Sequence, residues 1–172
     1  DFQPKKTAEF MKKKLYITLS MKELLYDVRS KAYIAGQSIA TGGNIEAVYN
    51  MQAVDDEGNS DRIARSISDA LARLKTSFAE YIADEDGREA GNVQEASGQN
   101  IALTLLVPSN YCFAAREDAA RSMHGYIVAC ALSEWFSLTN KAEAASYTEQ
   151  AAACLAEAHR AINRRVRPIR NS

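Results

Sequence analysis

The pattern that most constrains the fold lies in the last third of the chain. Apolar residues run almost without interruption over 126–138, and Asn140 then begins a second helical period. Apolar side chains on all sides of a helix indicate burial, whereas spacings of three and four indicate one buried face. The pattern therefore predicts two consecutive helices, 114–138 and 140–166, and the first should be the most buried element.

Two further helices are predicted in the first half of the chain. Ser20 followed by Glu23 is a capping box, in which the two side chains satisfy free amides at a helix start. An apolar stripe follows it and predicts a helix over 21–39, and a similar stripe predicts another over 61–83. A short amphipathic segment at 44–54 lies between them.

Two segments alternate apolar and polar residues with a period of two, which is typical of half-buried strands. They are 15–20 and 101–107, and they pair either with each other or with a neighbouring copy. The predicted fold is mainly α, a four-helix bundle-like domain with a minor two-stranded β element, in the order β-α-α-loop-β-α-α. Its core is predicted to include Met21, Leu25, Val28, Ile67, Leu71, Leu74, Ile127, Ala131, Leu155 and Ile162.

Length and composition indicate a single globular domain. The chain has 172 residues, 47% of them hydrophobic and 25% charged, with a net charge of −1. Residues 12–172 are assigned to the domain and 1–11 to a disordered arm or an added remnant. Residues 83–100 are acidic and contain one large apolar residue, Val93, so they are predicted to form a mobile loop. No run of apolar residues is long enough to span a membrane.

Metal binding and catalysis are not expected from the cysteines and histidines. Cys112, Cys130 and Cys154 form an odd, widely spaced set, which favours a reducing compartment. His124 and His159 lie at spacings from the cysteines that do not place two ligands on one helix face. The sequence therefore predicts no cofactor, no metal and no enzymatic activity.

The C-terminal segment is basic and contains no acidic residue from position 160 onward. Within a helix that continues to residue 166, three of its arginines would share one face. Such a cluster can contact a polyanion or an acidic partner. Alternatively, cations stabilise the carbonyl end of a helix. The candidate residues are Arg160, Arg164, Arg165, Arg167 and Arg170.

Trp135 and Phe136 form the densest aromatic group in the sequence. Tryptophan is enriched at the energetic centres of protein interfaces, so this pair is a candidate interface. The alternative is packing within the core. The two side chains point about 100° apart on a helix, so one ring could face the core and the other a partner.

Residues 131–170 resemble the C-terminal part of a group of phage-encoded proteins. The run ALSEWFSLTNKAEAASYTEQAAACLAEAHRAINRRVRPIR contains Trp135, the turn at 140–141, Tyr147 and the basic ending 164–168. In these features it is similar to small uncharacterised helical proteins encoded in the structural-gene modules of tailed phages and prophages. The resemblance implies a virion or assembly role without catalysis, and it transfers no functional residues.

Three hypotheses about function follow. The leading one is a non-enzymatic structural or interaction protein, such as a phage or prophage virion assembly component of the head–tail connector or completion type. Its partner would be a second copy or another structural protein, with weak non-specific binding to nucleic acid and no membrane. The alternative is a small nucleic-acid-binding protein that uses the basic ends, 12–14 and 160–170, and an enzyme comes third. The expected location is cytoplasmic, or virion-associated for a phage protein.

Overall fold

The computed structural model describes residues 12–40, 45–52, 57–82 and 100–167. The fold is mainly helical with one two-stranded antiparallel sheet, which confirms the predicted class. The short segment predicted at 44–54 forms a helix, α2, and one turn of 3₁₀ helix precedes α4. In chain order the elements are β1 (Lys12–Ser20), α1 (Met21–Ala40), α2 (Ile45–Gln52), α3 (Glu57–Ser77), β2 (Asn100–Pro108), α4 (Arg116–Thr139) and α5 (Lys141–Ile162).

The two strands pair with each other within the chain, with Lys12 opposite Pro108 and Ser20 opposite Asn100. Successive side chains of a strand point to opposite faces, so the alternating apolar residues share one face. That face is buried against the helices and makes the sheet part of the core. It carries Leu15, Ile17 and Leu19 from β1 and Ile101, Leu103, Leu105 and Val107 from β2.

Helix α4 is central to the packing. It contacts α5, α3 and α1, and it also contacts β1. Residues 126–129 are buried in succession, as the unbroken apolar run predicts. One cluster of buried side chains includes residues of both strands and of α1, α3, α4 and α5. Within the described ranges, no helix is both long and apolar enough to cross a membrane.

Two of the helix starts follow from their capping residues. The Glu23 backbone N–H donates to Ser20 Oγ at 3.4 Å at the start of α1. Asn140 Oδ1 accepts from the backbone N–H groups of Ala142 and Glu143, at 3.1 and 3.4 Å, at the start of α5. The first amides of a helix have no partner within it, so these side chains stabilise the positions at which the helices begin.

The last helix ends earlier than predicted. α5 ends at Ile162 and does not continue to residue 166. Asn163 closes it, because its side-chain amide donates to the His159 carbonyl oxygen at 3.0 Å. Beyond this residue the backbone forms hydrogen bonds with residues 110–112. Pairing with another segment therefore ends the helix before the proline is reached.

The limits of the third helix also differ from the prediction. α3 spans Glu57–Ser77, whereas 61–83 was expected. Residues 78–81 form a turn, and the Leu106 N–H of β2 donates to the Tyr81 carbonyl oxygen. The apolar spacing is misleading here because residues after the helix still pack against the core.

Some predictions fall at the margin of the described residues. The arm 1–11 lies outside them, as does the acidic loop 83–100 except for Asn100, which is the first residue of β2.

Three residues that were expected in the core are only partly buried against it, and they are Met21, Leu25 and Leu155.

Candidate functional site

The described part of the arginine cluster does not form a stripe on a helix. Arg160 belongs to the last turn of α5. Arg164, Arg165 and Arg167 follow the end of that helix, and Arg170 lies outside the described residues. The prediction that three of these arginines share one helical face is therefore wrong, because α5 ends before two of them.

Arg165 stabilises the end of α5. Its guanidinium donates to the Ile162 carbonyl oxygen at 2.9 Å and to Asn163 Oδ1 at 3.4 Å. Its backbone forms a β-bridge with Tyr111. The last carbonyl groups of a helix lack donors within it and attract cations. This arginine therefore has the structural role that the sequence offered as the alternative to partner binding.

Arg160 and Arg164 border a groove of about 360 Å³ between α4 and α5. Arg121 lines the groove as well, together with the carboxylates of Asp118 and Glu157. The Arg164 guanidinium lies 3.8 Å from the Asp118 carboxylate, and both side chains are exposed. An exposed ion pair of this kind contributes about 0–1 kcal/mol. Because acidic groups alternate with the arginines, this surface differs from the uniformly positive clefts that attract polyanions.

The aromatic pair predicted as an interface lies in the core. Trp135 is 6% exposed and Phe136 is fully buried. The Phe136 ring stacks on Tyr147 of α5, with 5.5 Å between ring centroids. These side chains therefore belong to the packing of α4 against its neighbours within the chain.

Both histidines link elements that are distant in sequence. His124 Nε2 of α4 lies 2.7 Å from Asp27 Oδ2 of α1. His159 Nε2 lies 2.8 Å from Ser77 Oγ, and its ring stacks on Phe78 with 4.2 Å between centroids. Sequence reasoning missed these pairs because the partners are 97 and 82 residues apart. No local spacing rule connects residues at such distances.

Asp27 and His124 line a groove of about 640 Å³ together with residues of β1, α1 and α4. Its charged groups are mixed, since Lys22 and Arg121 stand beside Glu23. A Ser–His–Asp hydrolase requires a serine hydroxyl within hydrogen-bond distance of the histidine. The hydroxyl of the lining serine, Ser20, accepts a hydrogen bond from the Glu23 backbone N–H at the start of α1. In the part of the chain that the structure describes, no three His, Cys, Asp or Glu side chains are placed to hold a metal ion.

The three cysteines are free thiols. Burial raises the pKa of Cys130 and the pKa of Cys154 above their ordinary value, so both stay protonated at neutral pH. The thiolate is the reactive form, which makes these two side chains poor nucleophiles. Cys154 has a packing role: a Cβ added at Gly125 would lie 3.1 Å from its sulfur. The glycine therefore permits close contact between α4 and α5.

Tyr126 makes the stability sensitive to alkaline pH. Burial raises its pKa to about 12, compared with about 10 in an unfolded chain. Between these values the unfolded chain has lost a proton that the folded chain keeps, so stability falls as pH rises. We expect Tyr126→Phe to lose less stability than the wild type between about pH 9 and about pH 11, measured by denaturant unfolding. Tyr26→Phe is the control, because Tyr26 is exposed. Equal losses of stability in the wild type and both variants would contradict the raised pKa of Tyr126.

A set of large apolar side chains remains exposed on α1 and on its neighbour α2. Tyr26, Tyr33 and Ile34 of α1 and Ile45 and Tyr49 of α2 are each more than half exposed. We call these five residues the α1–α2 face. Large apolar side chains that stay exposed on two helices in contact with each other are candidates for an interaction surface. The available sequence signal was that the three α1 residues fall outside the apolar stripe of that helix.

Comparison of the chain with protein-family models, with curated protein sequences and with solved structures gives no match.

Proposed function

We propose that this chain is a non-enzymatic structural or interaction protein that assembles with copies of itself or with another structural protein. The α1–α2 face is the observation that supports this proposal. The resemblance of residues 131–170 to proteins of phage structural modules extends it to a virion assembly component of a tailed phage or prophage, of the head–tail connector or completion type. α1, α3, α4 and α5 would act as a bundle-like support, in the cytoplasm before assembly and in the particle afterwards.

The physical argument is the exposure of the α1–α2 face in the single chain. Tyr26, Tyr33 and Tyr49 combine large apolar area with a hydroxyl, and tyrosine is enriched at protein interfaces. Ile34 and Ile45 add aliphatic side chains that are 59% and 84% exposed. Association removes such surface from water, with a gain of about 25 cal/mol per Å² of apolar area.

The test is to measure the molar mass by light scattering over a range of concentrations. We expect the wild type to run above its 18.9 kDa monomer mass. Ile34→Glu combined with Ile45→Glu should weaken association at least about tenfold, because the charges would be desolvated in the interface. Leu138→Glu is the matched control, because Leu138 is 60% exposed at the end of α4. A monomer at every concentration would contradict self-assembly.

A small nucleic-acid-binding protein that uses the basic ends, 12–14 and 160–170, is the alternative from another class. The contact of Arg165 with the Ile162 carbonyl of α5 and of Arg164 with Asp118 gives it less support than the structural proposal. We expect weak, non-specific DNA binding. Replacing the arginines at 164, 165 and 167 with glutamine should therefore lower the slope of log affinity against log salt concentration by the equivalent of fewer than about three phosphate contacts. A sub-micromolar, sequence-dependent complex at physiological salt would favour the alternative.

A further inference from the structure

Three arginines from separate parts of the fold line the groove between α4 and α5. Arg121 lies in α4, Arg160 lies in the last turn of α5, and Arg164 follows the end of that helix. A single residue joins the two helices, which pack against each other, so they run antiparallel. The first turns of α4 therefore lie beside the last turns of α5, and the fold brings these three guanidinium groups to one groove.

The backbone that carries Arg164 is held by hydrogen bonds on both sides. Its N–H donates to the Ala161 carbonyl oxygen at 3.3 Å, and its carbonyl oxygen accepts from the Cys112 N–H at 3.0 Å. Arg160 Nε donates to the Ala156 carbonyl oxygen at 3.4 Å. This bond uses one nitrogen of the guanidinium, so the two terminal nitrogens can donate to a ligand. Donors on an ordered backbone lose less conformational entropy when a ligand binds.

The carboxylates of the groove do not balance its arginines. Among the described residues that line it, Asp118 and Glu157 supply two negative charges against three positive charges. The Arg164 guanidinium lies 3.8 Å from the Asp118 carboxylate, which is beyond hydrogen-bond distance. Both side chains are more than half exposed, so this ion pair contributes little to stability. Exchanging Asp118 for a stronger anionic partner therefore costs little.

We infer that this groove binds a single phosphate group, either as the free ion or as the phosphomonoester of a small molecule. A phosphomonoester carries a charge of about −1.5 to −2 at neutral pH and has three acceptor oxygens. It can therefore accept from two or three guanidinium groups at once, and arginine binds phosphate through two parallel hydrogen bonds. The hydroxyl of Ser122, which also lines the groove, is a further donor.

The same carboxylates restrict the ligand to one compact anionic group. A polymer would bring further phosphates toward Asp118 and Glu157, where like charges repel. A groove of about 360 Å³ is large enough for a small phosphorylated molecule. The groove shares no residue with the α1–α2 face. The inference therefore goes beyond the proposed function and does not depend on it.

The first experiment is an NMR titration of the full chain, labelled with ¹⁵N, at constant ionic strength. The probes are inorganic phosphate and glycerol 3-phosphate, and glycerol is the control without a phosphate group. We expect both phosphates to give saturable shifts of the backbone amides in 118–122 and 157–164, and glycerol to give none. Tighter binding of glycerol 3-phosphate would assign a phosphomonoester as the ligand, and tighter binding of inorganic phosphate would assign the free ion.

The second experiment compares variants that change the charge inside and outside the groove. Arg121→Gln and Arg164→Gln should each raise the dissociation constant for phosphate at least about fivefold. Arg167→Gln is the matched control, because this exposed arginine of the same basic segment is not among the described residues that line the groove. It should change the dissociation constant less than about twofold. Asp118→Asn should lower it at least about threefold, because it removes a competing negative charge.

The opposite signs of these effects separate a binding site from a loss of structure. A damaged fold cannot explain tighter binding by Asp118→Asn, and circular dichroism checks every variant. If Arg121→Gln or Arg164→Gln unfolds, the wild-type shifts and Asp118→Asn decide. Equal effects of Arg121→Gln and Arg167→Gln would overturn the inference, because they would indicate attraction by net charge alone. Weaker binding by Asp118→Asn, or no saturation below about 100 mM phosphate, would overturn it as well.

Discussion

Truncating Phe136 to alanine is expected to lower the free energy of unfolding by about 3–5 kcal/mol. The side chain is fully buried in α4, and its ring stacks on Tyr147 of α5 at 5.5 Å. The substitution removes the apolar contacts of the ring and leaves a cavity that the surrounding helices close only in part. Denaturant unfolding followed by circular dichroism measures the loss, and the single tryptophan, Trp135, gives a fluorescence signal beside the site.

The matched control is Leu138→Ala, two residues further along the same helix. Leu138 is 60% exposed, so its truncation should change stability by less than about 0.5 kcal/mol. A loss of unfolding free energy below about 1 kcal/mol for Phe136→Ala would contradict the burial of this ring between α4 and α5. A comparable loss for both variants would indicate that the helix itself, and not burial of the ring, controls the effect.

Most of the helices and both strands could be predicted because their signals are local. The alternation in β1 and β2 follows from the pleat of a strand, and the buried face is the one predicted. Ser20 and Asn140 begin helices because a short polar side chain can accept a hydrogen bond from an amide two or three residues later. These rules need no knowledge of the rest of the fold.

The ends of α3 and α5 could not be predicted because tertiary contacts determine them. Phe78 and Ile82 continue an apolar spacing, yet the chain leaves the helix there and runs beside β2. After Ile162, hydrogen bonds with residues 110–112 replace those of α5. Because α5 ends at Ile162 and not at residue 166, the arginines beyond it do not form the predicted stripe on a helix. An error of four residues in a helix boundary thus changed the interpretation of a candidate site.

The candidate surfaces were harder to predict than the core for a related reason. Tyr26, Tyr33 and Ile34 could be recognised as lying outside the α1 stripe, but the contact between α1 and α2 depends on the fold.

Replacing Leu71 with alanine is expected to lower the free energy of unfolding by about 2–5 kcal/mol. Leu71 lies in α3, is 1% exposed and belongs to the main cluster of buried side chains. Leu155→Ala removes the same atoms from α5, where the side chain is only partly buried. It keeps contact with water in the folded state, so its loss should be less than about half as large.

The comparison of the two leucines tests the packing more directly than either value alone. Because the deleted atoms are identical, the contribution of the unfolded chain to the two losses of unfolding free energy is largely the same. The difference between the two losses therefore reports how deeply each side chain is buried in the folded chain. Equal losses would mean that Leu155 is as buried as Leu71, through closer packing of α5 or through an interface that covers it. Repeating the measurement at concentrations below and above association separates these two causes, because only an interface makes the Leu155→Ala loss depend on protein concentration.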